Sequence, residues 1–334
     1  MQSLKRVRAL ACVFVAFTAA GQAFAAKPSL QDQLIEEITS YDAKADPAAN
    51  LKKIETLLNK GAKMDVLSRE GGFHPFQIAI YANRADVVDL FIRRKYDVQQ
   101  AFDSNGNTPL MYAMLQKNSQ PEYLQNKRKI VASLLAAKAN PNVVAGGANS
   151  PLHSAGGGMY PPDLVLMEML LKAGADPNLD IGNGMTALFS GATGSLAALK
   201  LLLQAGADPH VVASNGLTPL HAVCERDLDD VIGTTYRPDP EAAERIKLLK
   251  HPERDLNAMP QHVGMKTPLA LNVQYYNPDC IGALIAAGAD VNGIAKHPEP
   301  NETGTMTVLE YARKYKVARG QVLEVLQQAA SKAK

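Results

Sequence analysis

A chain of 334 residues, 46% hydrophobic and 20% charged, can build one large domain or two ordinary ones and is too apolar to remain disordered. Its 35 basic and 33 acidic residues nearly cancel, which excludes a general electrostatic pull toward nucleic acid or anionic lipid. Three cysteines are too few for a fold that depends on a disulfide framework.

Residues 1–25 read as a secretory signal peptide. Lys5, Arg6 and Arg8 form a basic start, Ala9 to Ala20 is an apolar stretch too short to span a bilayer, and Ala23-Phe24-Ala25 fits the small-x-small cleavage rule. Cleavage is expected between Ala25 and Ala26, which leaves 32 basic against 33 acidic residues in the mature chain. The alternatives are an uncleaved anchor helix and a lipoprotein cut before Cys12. The simple apolar region and alanine-rich cut point to the bacterial periplasm, with secretion beyond the envelope as a variant. No later stretch is long and apolar enough to span a membrane, so no stable membrane insertion is expected after cleavage.

Residues 26–66 hold two helical patterns, "LQDQLIEEITSY" and "ANLKKIETLLNKGA", and are expected to form an N-terminal cap. From 67 to 334 one phrase recurs: "HPFQIAI" at His74, "TPLMYAM" at Thr108, "SPLHSAG" at Ser150, "TALFSGA" at Thr186, "TPLHAVC" at Thr218, "TPLALNV" at Thr267 and "TVLEYAR" at Thr307. The intervals are 34, 42, 36, 32, 49 and 40 residues. A second phrase falls between the copies, as in "LLKAGADPNL" (170–179), "LLLQAGADPH" (201–210) and "LIAAGADVNG" (284–293).

Each unit has a physical reading. Thr218 can cap a helix through its hydroxyl, Pro219 suits the first helical position, and Leu220, Ala222 and Val223 supply a short helix. A second helix follows, as in "LAALKLLLQ", and Gly206 ends one in the left-handed conformation that glycine tolerates best. Asp208-Pro209 and "SNG" (214–216) make the turns. One helix pair cannot bury both flanks, but stacked neighbours can.

A period near 33 residues carrying T-P-L-H and G-A-D-x-N resembles the ankyrin repeat over residues 50–330. The resemblance implies an all-α, ankyrin-repeat solenoid of stacked helix-turn-helix units with hairpin-like turns, about seven repeats plus degenerate ends. It also implies that His221 and His153 are scaffold residues that hydrogen-bond neighbouring turns, and not ligands or catalytic groups.

The long intervals mark insertions, at 116–128 and at 225–245, and "TVLEYARKYKV" with "QVLEVLQQAASKAK" forms a polar C-terminal cap. Chemistry is sparse. The glycine-rich 145–162 contains no phosphate-binding motif and reads as a shortened helix and turn. Glu225, Asp227, Asp229 and Asp230 lack the spacing of a calcium loop. No nucleophile elbow or zinc-helix motif is present, so neither an enzyme nor any cofactor or metal is expected. Cys224 and Cys280 fall on apolar positions of adjacent repeats; buried free thiols are the expected state, and a bridge is the alternative.

The resemblance further implies a protein partner, bound by a monomer through its concave face and turn tips. Mapped onto this sequence, the contact positions are Phe73, Asn107, Asn149, Met185 and Leu217 before the phrase. After its first helix they are Tyr81, Leu115, Gln116, Glu225, Arg226, Gln274 and Tyr275. Phe73, Tyr81, Arg226 and Tyr275 lead, because aromatic and arginine side chains dominate binding hot spots. The expected function is a non-enzymatic interaction module of the bacterial envelope, in a protective, accessory or toxin-immunity role. The alternatives are a secreted effector that binds a host protein, and an enzyme or small-ligand binder that uses the inserted loops.

Overall fold

The computed structural model describes residues 28–40, 46–66, 72–116, 120–156, 162–193, 195–224, 238–251, 256–257, 266–275, 277–295, 305–318 and 320–332. The expected signal peptide, residues 1–25, and Glu225 and Arg226 lie outside these residues. The chain forms two compact units, 1–147 and 148–334. Among the described residues there is no strand; an isolated antiparallel bridge joins Ile294 and Thr307.

The N-terminal unit contains α1 (Leu30–Thr39), α2 (Pro47–Asn59), α3 (Pro75–Tyr81), α4 (Ala85–Arg93), α5 (Pro109–Leu115) and α6 (Pro121–Ala136). First helices pack on first helices, α1 on α3 and α3 on α5, while α2, α4 and α6 form a second layer. Leu34, Ile38, Ile54, Phe76, Phe91, Leu110, Met111 and Leu134 fill the space between the layers. The region expected as an insertion at 116–128 is in large part helix: Pro121 starts a 16-residue α6, so residues 121–128 extend the second helix at its N-terminus. Lys127 holds this extension down by donating to the carbonyls of Met114 and Gln116, both at 3.0 Å.

The C-terminal unit contains α7 (Pro151–Ala155), α8 (Leu164–Lys172), α9 (Ala187–Gly191), α10 (Leu196–Gln204), a 3-10 turn (Pro219–His221), α11 (Ala242–Leu249), α12 (Pro268–Asn272), α13 (Pro278–Ala286), α14 (Val308–Lys314) and α15 (Gly320–Lys332). Here α7 packs on α9, the 3-10 turn on α12 and α12 on α14, opposite a layer formed by α8, α10, α11, α13 and α15. The helix expected after Thr218 is only this three-residue turn.

The repeated phrases have local causes that the structure makes explicit. Thr108, Ser150, Thr186, Thr267 and Thr307 each accept a backbone N–H of the following helix, and Pro occupies its first turn in three of these five. His74 breaks the pattern: it makes no cap, and its Nδ1 lies 2.8 Å from the Asp65 carbonyl instead. The asparagine of the G-A-D-x-N phrase clamps the next turn with both ends of its amide. Asn178 donates to the Gly206 carbonyl and accepts from the Asp208 N–H, both at 2.8 Å. Gln99 holds Lys138 and Asn140 in the same way, and Asn257 holds Gly288 and Asp290.

Gly206 (φ 93°) and Gly288 (φ 111°) end their helices in the left-handed region. Lys95 (φ 66°) and Lys138 (φ 65°) stand at the same place in their own repeats, where a side chain is disfavoured. Lys138→Gly is therefore expected to stabilise the N-terminal unit by about 1 kcal/mol in urea unfolding. A loss of stability would show that the Lys138 side chain contributes more than its backbone conformation costs.

Candidate interaction surface

The N-terminal unit gathers aromatic and amide side chains along its first helices. Phe73 is 38% exposed beside α3, and His74 stacks on Phe102 with ring centroids 5.8 Å apart. Phe102 in turn meets the edge of Tyr112 at 5.6 Å. Tyr112, half-buried on α5, has its phenol pKa raised by burial first, and also by the neighbouring Tyr81 and Asp103. Hydrogen bonding from Gln77 and Gln116 works the other way. Burial pushes the Tyr123 phenol up to about 12, with Tyr81 and Tyr112 adding to the shift. Tyr81, Tyr112 and Tyr123 are thus near neighbours, drawn from α3, α5 and the start of α6.

Of the positions expected from sequence, the structure brings Tyr81 and Gln116 together around Tyr112, while Phe73 is exposed just before His74. Leu115 is half-buried beside Gln116, whose Nε2 donates to the Tyr112 carbonyl at 3.2 Å. Asn107 does not have the exposure expected of a contact residue. It is 7% exposed, and its side-chain amide donates to Asp103 at 2.8 Å, where it closes the turn. The sequence reading missed Tyr112 and Tyr123. Tyr112 is the fifth residue of its repeated phrase, where the Thr218 phrase has Ala222 as a small apolar helix position, and Tyr123 lies in the stretch read as an insertion.

In the C-terminal unit the expected positions are dispersed. Asn149 is half-buried and accepts from His153 Nδ1 and Ser154 Oγ, both at 2.9 Å. Met185 and Leu217 are half-buried at equivalent turns, where their carbonyls accept from Ile181 and Ala213. Gln274 is exposed and Tyr275 half-buried just after α12.

His221 belongs to the scaffold. Its ring is 4% exposed; Nδ1 accepts the Thr218 N–H at 3.0 Å, and Nε2 faces the Lys266 carbonyl at 3.2 Å, so the neutral Nε2–H tautomer satisfies both. Burial pushes its pKa from the usual 6.5 down to about 4, while the bonds to Lys266 and Thr218 act in the opposite sense. The unfolded chain accepts this proton near pH 6.5 and the folded chain only near 4. The contribution is therefore complete above pH 6.5 and is lost as pH falls through that window, by up to about 1.4 kcal/mol per pH unit. Unfolding of wild type and His221→Asn between about pH 6.5 and pH 5 should show a steeper slope for the wild type. Equal slopes would place the proton elsewhere. Burial lowers the His153 pKa as well, in the same direction for stability.

Among the described residues, no group of three or more His, Cys, Asp or Glu gathers that could hold a metal. No described helix is long and apolar enough to cross a membrane. Cys224 and Cys280 are joined by a disulfide with Cα atoms 5.6 Å apart, which overturns the expectation of free thiols. Their side chains are buried and face each other between adjacent repeats, a relation that their spacing of 56 residues could not reveal.

Comparison with known proteins rests on the repeats. No curated protein matches the chain. Among solved structures, a chain of the complex of the Bd0816 predatory endopeptidase from Bdellovibrio bacteriovorus with immunity protein Bd3460 is similar at 21% identity and a TM-score of 0.45. The match covers 60% of this chain and 93% of that one. The human ASB11 ankyrin repeat domain is similar at 22% identity and a TM-score of 0.43, with 61% and 80% covered. Residues 45–145 match the family described as ankyrin repeats (3 copies), and residues 183–214 match the single ankyrin repeat. With capped first helices, left-handed helix ends and stacked helix pairs, the fold is all-α among the described residues, and its segments 45–145 and 183–214 are ankyrin repeats.

Proposed function

We propose that this protein is an exported, non-enzymatic binding module that docks a protein partner on the aromatic row of its N-terminal unit. Ankyrin repeats are protein–protein interaction modules. The observation that carries the assignment is the grouping of Tyr81, Tyr112, Gln116 and Tyr123 from consecutive repeats, with Phe73 exposed at the start of α3. Tyrosines offer large, rigid surfaces at low entropic cost, and none of these side chains carries a charge that docking would have to desolvate. The reading of an envelope location rests on the basic, apolar and small-residue order of residues 1–25. It is supported by the Cys224–Cys280 bridge, which suits an oxidising compartment. An accessory or protective role toward another envelope protein, toxin neutralisation included, fits a module with this surface.

The test uses mature 26–334 as bait in envelope extract, beside a Phe73→Ala/Tyr81→Ala/Tyr123→Ala variant and a Gln274→Ala/Tyr275→Ala variant, each checked for helicity. The reading expects one protein to be retained by the wild type and by the C-terminal variant, and to be lost at least about tenfold from the N-terminal variant. Equal recovery on all three baits, or loss only with the C-terminal variant, moves the docking site off the N-terminal unit.

A further inference from the structure

The segment that begins the fifth phrase is held in place from outside. After Thr218 it forms only the 3-10 turn Pro219–His221 with its local backbone bonds, and several further ties reach later parts of the chain. His221 reaches the Lys266 carbonyl at 3.2 Å. Asn272 donates to the Leu220 carbonyl at 2.8 Å and accepts the Cys224 N–H at 3.0 Å. Arg245 donates to the Val223 carbonyl at 3.3 Å. Arg245 is itself locked by two bonds to Asp239, at 3.0 and 2.7 Å, and Asp239 also accepts from Asn277 at 2.7 Å. Asn277 caps α13 by accepting the Cys280 N–H at 3.1 Å, and Cys280 closes the circuit through its disulfide to Cys224. Both cysteines are 0% exposed, as are Arg245, Asn272 and Asn277.

We propose that the Cys224–Cys280 disulfide is a buried folding latch. It is set once, as the C-terminal unit folds. It is closed to reductants and to thiol exchange while that unit stays folded, and it is required for residues 218–224 to keep their place. Setting the latch moves two electrons and two protons from the two thiols to a disulfide donor, which leaves as two thiols. Opening it reverses the balance. A dithiol's thiolate attacks one Sγ, the S–S bond breaks to give a mixed disulfide, and the second thiol of the reductant displaces the remaining cysteine as its own disulfide forms. An attacking thiolate must reach a sulfur that the folded unit covers completely, so reduction waits for local opening. The polar circuit around the bridge makes that opening costly, because breaking any one contact leaves a buried donor or acceptor without its partner. The latch is independent of which partner the repeats bind, and its failure would leave the binding assignment untouched.

The experiment follows reduction of mature 26–334 by dithiothreitol with thiol trapping, in native buffer and in urea, and then maps amide exchange of the oxidised and reduced protein. Purified protein is expected to show no free thiol, and native reduction is expected to be at least about a hundredfold slower than reduction in urea. In the reduced protein, exchange should rise at least about tenfold over 215–224 and 266–286, with 46–145 unchanged. Two free thiols in the oxidised preparation, reduction rates within about threefold of each other, or unchanged exchange after reduction would each overturn the latch. So would a uniform rise over the whole chain. A Cys224→Ala/Cys280→Ala variant is expected to show the same local loss, and full protection at 218–224 in that variant would remove the requirement for the bridge. If the variant does not fold, the reduced wild-type protein supplies the same reading.

Discussion

Replacing Arg245 by alanine is expected to destabilise the C-terminal unit by about 3–5 kcal/mol, because it removes the cation bonded twice to a buried carboxylate. Asp239 is 6% exposed and receives both Arg245 bonds, and Asn277, which also donates to it, is a neutral amide. The cost is that of breaking the pair, not the pair's net worth. Taking two charges out of water is itself expensive, so Arg245→Met combined with Asp239→Leu is expected to recover most of the loss. Urea unfolding of the wild type, both single variants and the double variant closes the cycle. A single-variant loss under about 1 kcal/mol would mean that water reaches Asp239 and that the circuit around α11 is looser than its distances indicate.

The N-terminal unit depends on an aromatic cluster instead. Phe76, 0% exposed at the second turn position of α3, stacks on Tyr96 at 4.2 Å and meets Phe91 at 5.8 Å and Phe102 at 6.2 Å. Phe76→Ala is expected to cost about 3–5 kcal/mol, from lost burial and from a cavity that three further rings cannot fill without leaving their rotamers. Phe76→Leu should cost less, since it restores part of the volume. Stacked repeats are coupled chiefly to their neighbours, so amide exchange should localise the Phe76 effect to the N-terminal unit and the Arg245 effect to the C-terminal one. The same response in both units to either substitution would contradict that near-neighbour coupling.

Phe102 shows why the proposed docking row is only partly legible in the sequence. It lies between the two phrases, where sequence reads a turn, yet it joins His74 and Tyr112 into one row. Tyr81 and Gln116 could be placed from the repeat's register, because position within a repeat fixes which face of the first helix a side chain occupies. Tyr123 could not be placed, because Pro121 starts α6 inside a stretch whose extra length looked like a loop. Asn107 shared the register of a contact position, but its amide was taken up by Asp103.

The sequence by itself determined whatever depends on contacts a few residues apart. Thr-Pro and Ser-Pro starts cap their own helices, Gly206 and Gly288 end theirs in the left-handed region, and the apolar spacing between them sets the buried stripe of each pair. The tertiary structure decided what depends on partners beyond a residue's own helix pair. His221 meets Lys266, Asn272 holds Leu220 and Cys224, and Arg245, Asp239 and Asn277 enclose a disulfide between two cysteines that read as separate apolar positions. The fifth phrase makes the division plain. Its T-P-L-H letters match the pattern of a helix start, but only a 3-10 turn forms. Its backbone groups find partners in the next repeat, and buried polar groups settle wherever their hydrogen bonds are complete.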